Sequence, residues 1–285
     1  MRRSYKVVDV FSGKPMRGNP LAVVLDADGL SSEDMQRIAG WTNLSETTFV
    51  LPPTSPAASY RLRIFTPRSE PPFAGHPTLG SAFAIVEAGK AVPKNGALVQ
   101  ECRLGLVNVR VDGSKVTLDL PTAKITRLGA GDIDELEAVL GRKVQRAPVP
   151  AVVDVGPRWI IAQLASADEV IAVRVDLARL EQLERLVGAT GLTIFGKHTS
   201  GDIAIEVRSF APSDGIAEDP VCGSGNGSVA AFMWAANPVA EGLAYTAAQG
   251  RCVGREGRIE VVIDPAGKIT LGGACITSVD GMLMV

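Results

Sequence analysis

Short runs of alternating hydrophobic and polar residues are interleaved with longer helical patterns along the whole chain. β-branched residues and a period of two predict strands, at residues 5–11, 21–25, 47–51, 59–65, 106–111, 115–120, 158–164, 202–210, 258–263 and 268–272. Apolar or small residues at helical spacing predict helices, at residues 31–40, 76–88, 133–140, 177–186 and 225–236. The pattern therefore predicts a mixed α/β protein.

One sequence pattern occurs twice in the chain, and this repeat predicts how the chain is divided into domains. Each copy reads Arg-x-Phe-x-Pro, then a short turn, then Glu-x-Pro, a hydrophobic residue, a small residue and Gly, before a helix of small residues. The matching positions are Arg63, Glu70 and Gly75 in the first copy and Arg208, Glu218 and Gly223 in the second. We therefore predict two related halves, with residues 121–132 as the best candidate boundary.

The amino-acid composition and charge exclude several classes of partner and of binding site. The chain has 285 residues, 46% of them hydrophobic and 21% charged, with a net charge of −2. Basic residues are scattered and no apolar run approaches the roughly 20 residues of a membrane span, so we expect neither nucleic acid nor membrane as a partner. Two histidines and four cysteines without metal-ligand spacing argue against a metal site. Free thiols are typical of the cytoplasm, where we place the protein.

The Gly that ends each repeat opens a helix, and a helix N-terminus presents free N–H groups and positive charge. Two related halves that face each other would direct two such ends into one cleft, which suits a small carboxylate. His76 follows Gly75 at one helix start, where the helix end favours its neutral form.

Simpler interpretations remain open for each of these residues. His76 could be a local capping residue, Asp219 a turn or capping acceptor, Cys222 a small buried side chain and Glu46 an exposed polar residue. The glycine-rich run at residues 223–227 lacks the P-loop lysine and the dinucleotide-binding spacing, which disfavours a nucleotide.

Four segments together resemble the PhzF-like isomerase family of phenazine biosynthesis, which shares a fold with diaminopimelate epimerase and proline racemase. They are DVFSGKPMRGNPLAVV, NLSETTFVL, RIFTPRSEPPFAGHPTLG and EDPVCGSGNG. The resemblance implies an α+β diaminopimelate epimerase-like fold. Two pseudo-symmetric domains, each a barrel-like sheet around a central helix, would flank an active-site cleft. The first domain would hold residues 1–122, completed by about 274–285, and the second residues 123–273. It also implies a homodimer.

The resemblance also assigns roles to residues. Glu46 matches the catalytic acid/base, His76 the substrate-contacting histidine and Asp219 the acid of the second domain, while Gly75, Gly223 and Ser224 match positions that bind the substrate carboxylate. The related epimerases use two cysteines, one before each of these glycines. Here the second position is Cys222 but the first is Ala74, which favours a carboxylate as the group that moves the proton.

The resulting hypothesis is a cofactor-independent isomerase in which Glu46 moves a proton between carbons of a small carboxylic acid. Trans-2,3-dihydro-3-hydroxyanthranilate is one candidate substrate. The scheme requires neither a cofactor nor a metal. Two alternatives remain: an epimerase or racemase acting on an amino or hydroxy acid, and a non-catalytic protein that binds a small acid.

Overall fold

A computed structural model describes residues 1–285. The strands are β1 (Arg2–Val10), β2 (Asn19–Val24), β3 (Thr47–Leu51), β4 (Tyr60–Phe65), β5 (Ala97–Cys102), β6 (Gly105–Asp112), β7 (Lys115–Asp119), β8 (Lys124–Arg127), β9 (Ala151–Asp154), β10 (Arg158–Gln163), β11 (Gly191–Lys197), β12 (Ile205–Ala211), β13 (Ile216–Asp219), β14 (Leu243–Gln249), β15 (Gly257–Ile263) and β16 (Ile269–Met284). The α-helices are α1 (Ser32–Thr42), α2 (Gly75–Glu87), α3 (Ala130–Leu140), α4 (Ala167–Ala172), α5 (Leu177–Val187) and α6 (Gly223–Ala236).

The chain folds into two compact units. The first comprises Met1–Asp119 together with Gly272–Val285, and the second comprises Leu120–Leu271. Strand β16 starts in the second unit, and its residues from Gly272 onward belong to the first.

The first unit is a closed eight-stranded barrel. Its strands follow the order β1-β2-β3-β4-β5-β6-β7-β16, and β16 pairs back onto β1. That closing pair is antiparallel and runs from Arg2 opposite Met284 to Val10 opposite Cys275. The pairs β2/β3 and β4/β5 are parallel. Closure leaves no free sheet edge in this unit.

Helix α2 is the central element of the first unit, and it packs against β1, β2, β3, β6 and β7. Small residues allow this close approach. A Cβ at Gly80 would lie 2.7 Å from side-chain carbons of both Leu21 and Val10. Residues on every face of the helix are buried, as expected for a helix enclosed by a sheet.

The second unit has a sheet in the order β15-β14-β12-β11-β10-β9-β8, with β13 added beside β12. Helix α6 packs against β9, β10, β11 and β15. A Cβ at Gly227 would come within 2.9 Å of Leu120 and Leu271 side chains, so this helix also depends on small residues. Helices α3 and α5 pack against each other and cover a separate apolar core that includes Leu136, Leu180 and Ile194.

All five predicted helices are confirmed, with ends within three residues of the predicted ones. The pattern missed the six-residue α4 and the strands β5, β8, β9, β11, β13 and β14. Strand β14 reads LAYTAAQ, and alanine has low strand propensity, so its pairing depends on its neighbours. The last predicted strand, over residues 268–272, was too short, because β16 continues to Met284 by pairing with β1.

Candidate active site

The N-terminus of α2 has no side-chain cap. Ala74 is the N-cap residue, in an extended conformation, and its methyl group accepts no hydrogen bond. By contrast, Ser31, Ser166 and Asp176 cap helices α1, α4 and α5 with side-chain oxygens. The first N–H groups of a helix have no acceptor within it. Those of α2 are therefore suited to an anionic ligand.

His76 and Glu46 meet at this helix start. Nδ1 of His76 lies 3.2 Å from Oε2 of Glu46, which directly precedes strand β3. His76 is 7% exposed, and its Nε2 atom is buried without a hydrogen-bond partner. One nitrogen of the imidazole therefore faces a carboxylate, and the other can bind a further polar group. The prediction that both residues belong to one site is compatible with this contact.

A buried hydrogen bond fixes the strand that carries Glu46 to the helix that carries His76. The hydroxyls of Thr48 in β3 and Ser81 in α2 lie 2.8 Å apart. Thr48 is only two residues beyond Glu46, and both hydroxyl-bearing residues are fully buried. The relative placement of Glu46 and His76 thus follows from the packing of α2 inside its barrel.

The N-terminus of α6 is capped by a sulfur atom. Cys222 is the N-cap residue, and its Sγ accepts the N–H of Gly225 at 3.2 Å. The helix begins at Gly223, two residues before the predicted start. Cys222 and Ala74 thus hold the same N-cap position, each in its own unit.

The predicted residues of the second unit lie around this helix start. Asp219 ends β13 and accepts the N–H of Val221 through Oδ1 at 3.0 Å. Gly223 and Ser224 form the first positions of α6. Ser224 is partly exposed, and its Oγ accepts the indole N–H of Trp159 at 3.0 Å. Sequence reasoning assigned no role to Trp159, because it lies in a distant strand.

Gln249 is a second residue that the sequence did not single out. Its Oε1 accepts the N–H of Cys222 at 3.1 Å and the side-chain amide of Asn226 at 2.8 Å. Its Nε2 donates to the main-chain oxygen of Asp219 at 3.0 Å. One buried amide therefore supports the whole turn from Asp219 to the first turn of α6.

The repeated Arg and Glu residues form an ion pair in each unit. Arg63 donates two hydrogen bonds to Glu70, both 2.8 Å long. Arg208 donates two to Glu218, at 3.0 and 2.8 Å. Each guanidinium also lies 5.0 Å from the ring of the phenylalanine two residues later. The paired geometry explains why both residue types occur in both copies of the repeat.

The Cys222 thiol is unsuited to act as a base. The side chain is 4% exposed. Burial raises the pKa of this thiol far above its ordinary value, and the negative charge of Asp219 raises it further. The thiol therefore stays protonated at neutral pH. Because Ala74 offers no partner, the residues do not reproduce a two-thiol acid/base pair.

No three His, Cys, Asp or Glu side chains are grouped as metal ligands. All four cysteines are free thiols. None of the helices combines the length and apolar character needed to cross a bilayer.

The model of the phenazine biosynthesis-like proteins, PhzC-PhzF, matches residues 8–281. The chain belongs to this family. The PhzF-family chain is 41% identical over 290 residues to "Antisense-enhancing sequence 1" of Schizosaccharomyces pombe, with 98% of this chain and 97% of the relative covered. It is 35% identical over 267 residues to trans-2,3-dihydro-3-hydroxyanthranilate isomerase of Pseudomonas aeruginosa, covering 93% of this chain and 91% of that protein.

Solved structures share the fold of this chain. A PhzF-family phenazine biosynthesis protein of Bacillus anthracis matches with a TM-score of 0.88 at 23% identity, over 100% of both chains. A hydroxyproline epimerase from Agrobacterium vitis matches with a TM-score of 0.68 at 13% identity, over 99% of this chain and 92% of that one. At sequence identities below 25%, these two matches establish a shared fold and not a shared activity. The predicted α+β, diaminopimelate epimerase-like fold is thus confirmed, and the protein is an enzyme of the isomerase class.

Proposed function

We propose that this PhzF-family enzyme moves a proton between two carbons of a small carboxylic acid, with Glu46 as the acid/base and no cofactor. The observation that carries the proposal is the 3.2 Å contact between Glu46 and His76 at the uncapped start of α2. A carboxylate, an imidazole with one nitrogen unused and free helix N–H groups together supply a base, an orienting group and an anion site.

The proposed step balances without an oxidant or reductant. The Glu46 carboxylate removes a proton from a carbon of the substrate, and the electron pair enters the adjoining conjugated or carboxylate system. The protonated Glu46 then gives a proton to a different carbon. Preorganised N–H groups that face developing negative charge would stabilise the intermediate.

The other predicted residues take binding and orienting roles in this proposal. The helix starts at Gly75 and Gly223 would bind the substrate carboxylate through main-chain N–H groups, assisted by the hydroxyl of Ser224. His76 and Asp219 would orient a hydroxyl or amino group and share its proton. The buried, partnerless Nε2 of His76 supports its role.

We propose trans-2,3-dihydro-3-hydroxyanthranilate as the first substrate to test. The isomerase of Pseudomonas aeruginosa that bears this substrate in its name is 35% identical over nearly the whole chain. An epimerase or racemase of an amino or hydroxy acid is the competing activity. Ala74 and the protonated Cys222 disfavour it, because neither can serve as a thiolate base.

We further propose that the enzyme is a cytoplasmic homodimer. Four free thiols fit a reducing compartment. Met282 and Met284, near the end of β16, are 55% and 70% exposed, and Met1, directly before β1, is 84% exposed. Exposed apolar side chains of this kind are suited to a protein partner. Light scattering of the purified protein would measure its mass in solution.

Proton NMR in D2O tests the proposed reaction. Trans-2,3-dihydro-3-hydroxyanthranilate is incubated with the wild type, with Glu46→Gln and with Glu33→Gln, a control at an exposed position on α1. We expect isomerisation by the wild type and the control, and a rate about 10²- to 10⁴-fold lower for Glu46→Gln. A Glu46→Gln rate within tenfold of the wild type would overturn the role of Glu46.

The same spectra separate the alternatives. Deuterium uptake with inversion at one carbon, without movement of a double bond, would indicate an epimerase. If this acid and a panel of amino and hydroxy acids all bind without any deuterium uptake, the proposal of an isomerase acting by proton transfer at these residues fails in favour of a binding protein.

A further inference from the structure

Trp159 presents one polar atom to the candidate site from a buried position. It lies in β10 and is 4% exposed. Its indole N–H donates to Oγ of Ser224 at 3.0 Å. An indole can donate a hydrogen bond but cannot accept one, so the direction of this bond is certain. Ser224 must be its acceptor.

The indole ring is held in place by the adjoining strand. Trp159 is paired with Gly191 of β11. A Cβ at Gly191 would lie 2.6 Å from Cζ3 of the indole. The ring therefore lies directly over this glycine, and a larger residue would displace it. Its N–H has a fixed direction because the ring is enclosed.

This bond leaves the Ser224 hydroxyl with a hydrogen to donate. A hydroxyl has one hydrogen and two lone pairs, and one lone pair accepts the Trp159 N–H. Oγ of Ser224 also lies 3.6 Å from the Cys222 sulfur. That sulfur is a weak acceptor and already accepts the N–H of Gly225. A substrate oxygen would be a better acceptor.

We propose that Trp159 is a positioning residue that fixes the Ser224 hydroxyl as a hydrogen-bond donor. The start of α6 thereby offers an O–H to an anionic or carbonyl oxygen of the substrate. A bond donated to the hydroxyl also polarises its own O–H. This inference rests on the proposed function, because Ser224 is assigned to the substrate there.

The first test observes the bond itself, without catalysis. The indole ¹H–¹⁵N resonances of the three tryptophans are recorded, and the Trp159 signal is assigned by its loss in Trp159→Phe. We expect Ser224→Ala to move the Trp159 signal upfield, and Ser224→Thr, which keeps a hydroxyl, to move it less. If Trp159→Phe does not fold, the signal is assigned by elimination with Trp41→Phe and Trp234→Phe. No shift in Ser224→Ala would overturn the inference.

The second test is a double-mutant cycle on substrate binding. We expect Trp159→Phe to raise KM about 3- to 10-fold with kcat within about twofold, and Ser224→Ala to raise KM by roughly 10-fold or more. In the Ser224→Ala background, Trp159→Phe should add less than a twofold change. An equal effect of Trp159→Phe in both backgrounds would show a packing role and overturn the inference.

The two proposals can fail separately. If no tested acid is isomerised, the cycle is repeated with the Kd for benzoate, a simple carboxylate, from the same NMR spectra. Non-additive losses of benzoate affinity would support the role of Trp159 although the proposed reaction had failed. Additive losses would overturn the role of Trp159, whatever reaction the enzyme performs.

Discussion

Nδ1 of His76 and Oε2 of Glu46 lie 3.2 Å apart. This contact connects the first turn of the central helix α2 with the residue directly before strand β3. The imidazole is buried by its own barrel, whereas the carboxylate is partly exposed. A partly exposed carboxylate beside a buried, oriented partner can be reached by a substrate while its direction stays restricted.

We expect His76→Asn to lower kcat about 10- to 100-fold, because Glu46 loses the ring that orients it and the substrate loses a polar contact. Steady-state kinetics with the substrate identified by NMR will measure this. His198→Asn is the matched control, since His198 also lies beside a carboxylate, 3.1 Å from Glu206. A similar loss in both variants would contradict a specific role for His76.

Cys222→Ser should keep kcat within about threefold of the wild type. The serine oxygen replaces the sulfur as acceptor for the N–H of Gly225, and the buried thiol, with its raised pKa, is not the base. Rates are measured at pH 7 and compared with the folded fraction from circular dichroism. A loss beyond 100-fold in a folded variant would instead favour thiol chemistry and the epimerase alternative.

The ion pair of the second unit should matter more for stability than that of the first. Arg208 is 8% exposed and also donates to the main-chain oxygens of Val170 and Val173. Glu218→Gln should destabilise the protein by about 3 kcal/mol, because a buried guanidinium loses its counter-charge. Glu70→Gln should cost roughly 1 to 2 kcal/mol. Urea unfolding measures both, and an equal or reversed order would contradict the prediction.

Glu184 should make the protein less stable as the pH rises. It is buried in α5, and its Oε2 accepts the N–H of Ser213 at 3.2 Å. Burial raises its pKa, with smaller contributions from the charges of Asp214 and Glu181. The folded protein thus binds more protons here than the unfolded chain. Stability is lost as the pH rises from the unfolded pKa, about 4.3, through the raised folded value.

Glu184→Gln should therefore be more stable than the wild type at pH 7, and the difference should shrink as the pH falls towards 4. Thermal unfolding from pH 4 to 8 measures it, with Glu241→Gln, at an exposed position before β14, as the control. A Glu184→Gln protein that is less stable at pH 7 would mean that the Ser213 contact requires a charged acceptor.

The helices of the fold were readily predicted, whereas several strands were not. Helices α2 and α6 each begin at a glycine, which is followed by a run of small and apolar residues. Such a pattern is visible in the local sequence, without knowledge of which elements the helix packs against. Strands β5 and β14 were missed although each pairs with the strand that directly follows it. Their sequences, ALVQEC and LAYTAAQ, contain alanine and polar residues of low strand propensity, so the local pattern gives a weak signal.

The sequence by itself determined the repeated segments, their Arg, Glu and Gly positions, the family resemblance and the six candidate site residues. Only the tertiary structure decided that Glu46 contacts His76, that each repeated arginine pairs with the glutamate of its own repeat, and that Trp159 and Gln249 support the start of α6. The physical reason is that helix starts and turns are local features of the chain. A hydrogen bond between distant side chains depends on how strands pair around a central helix.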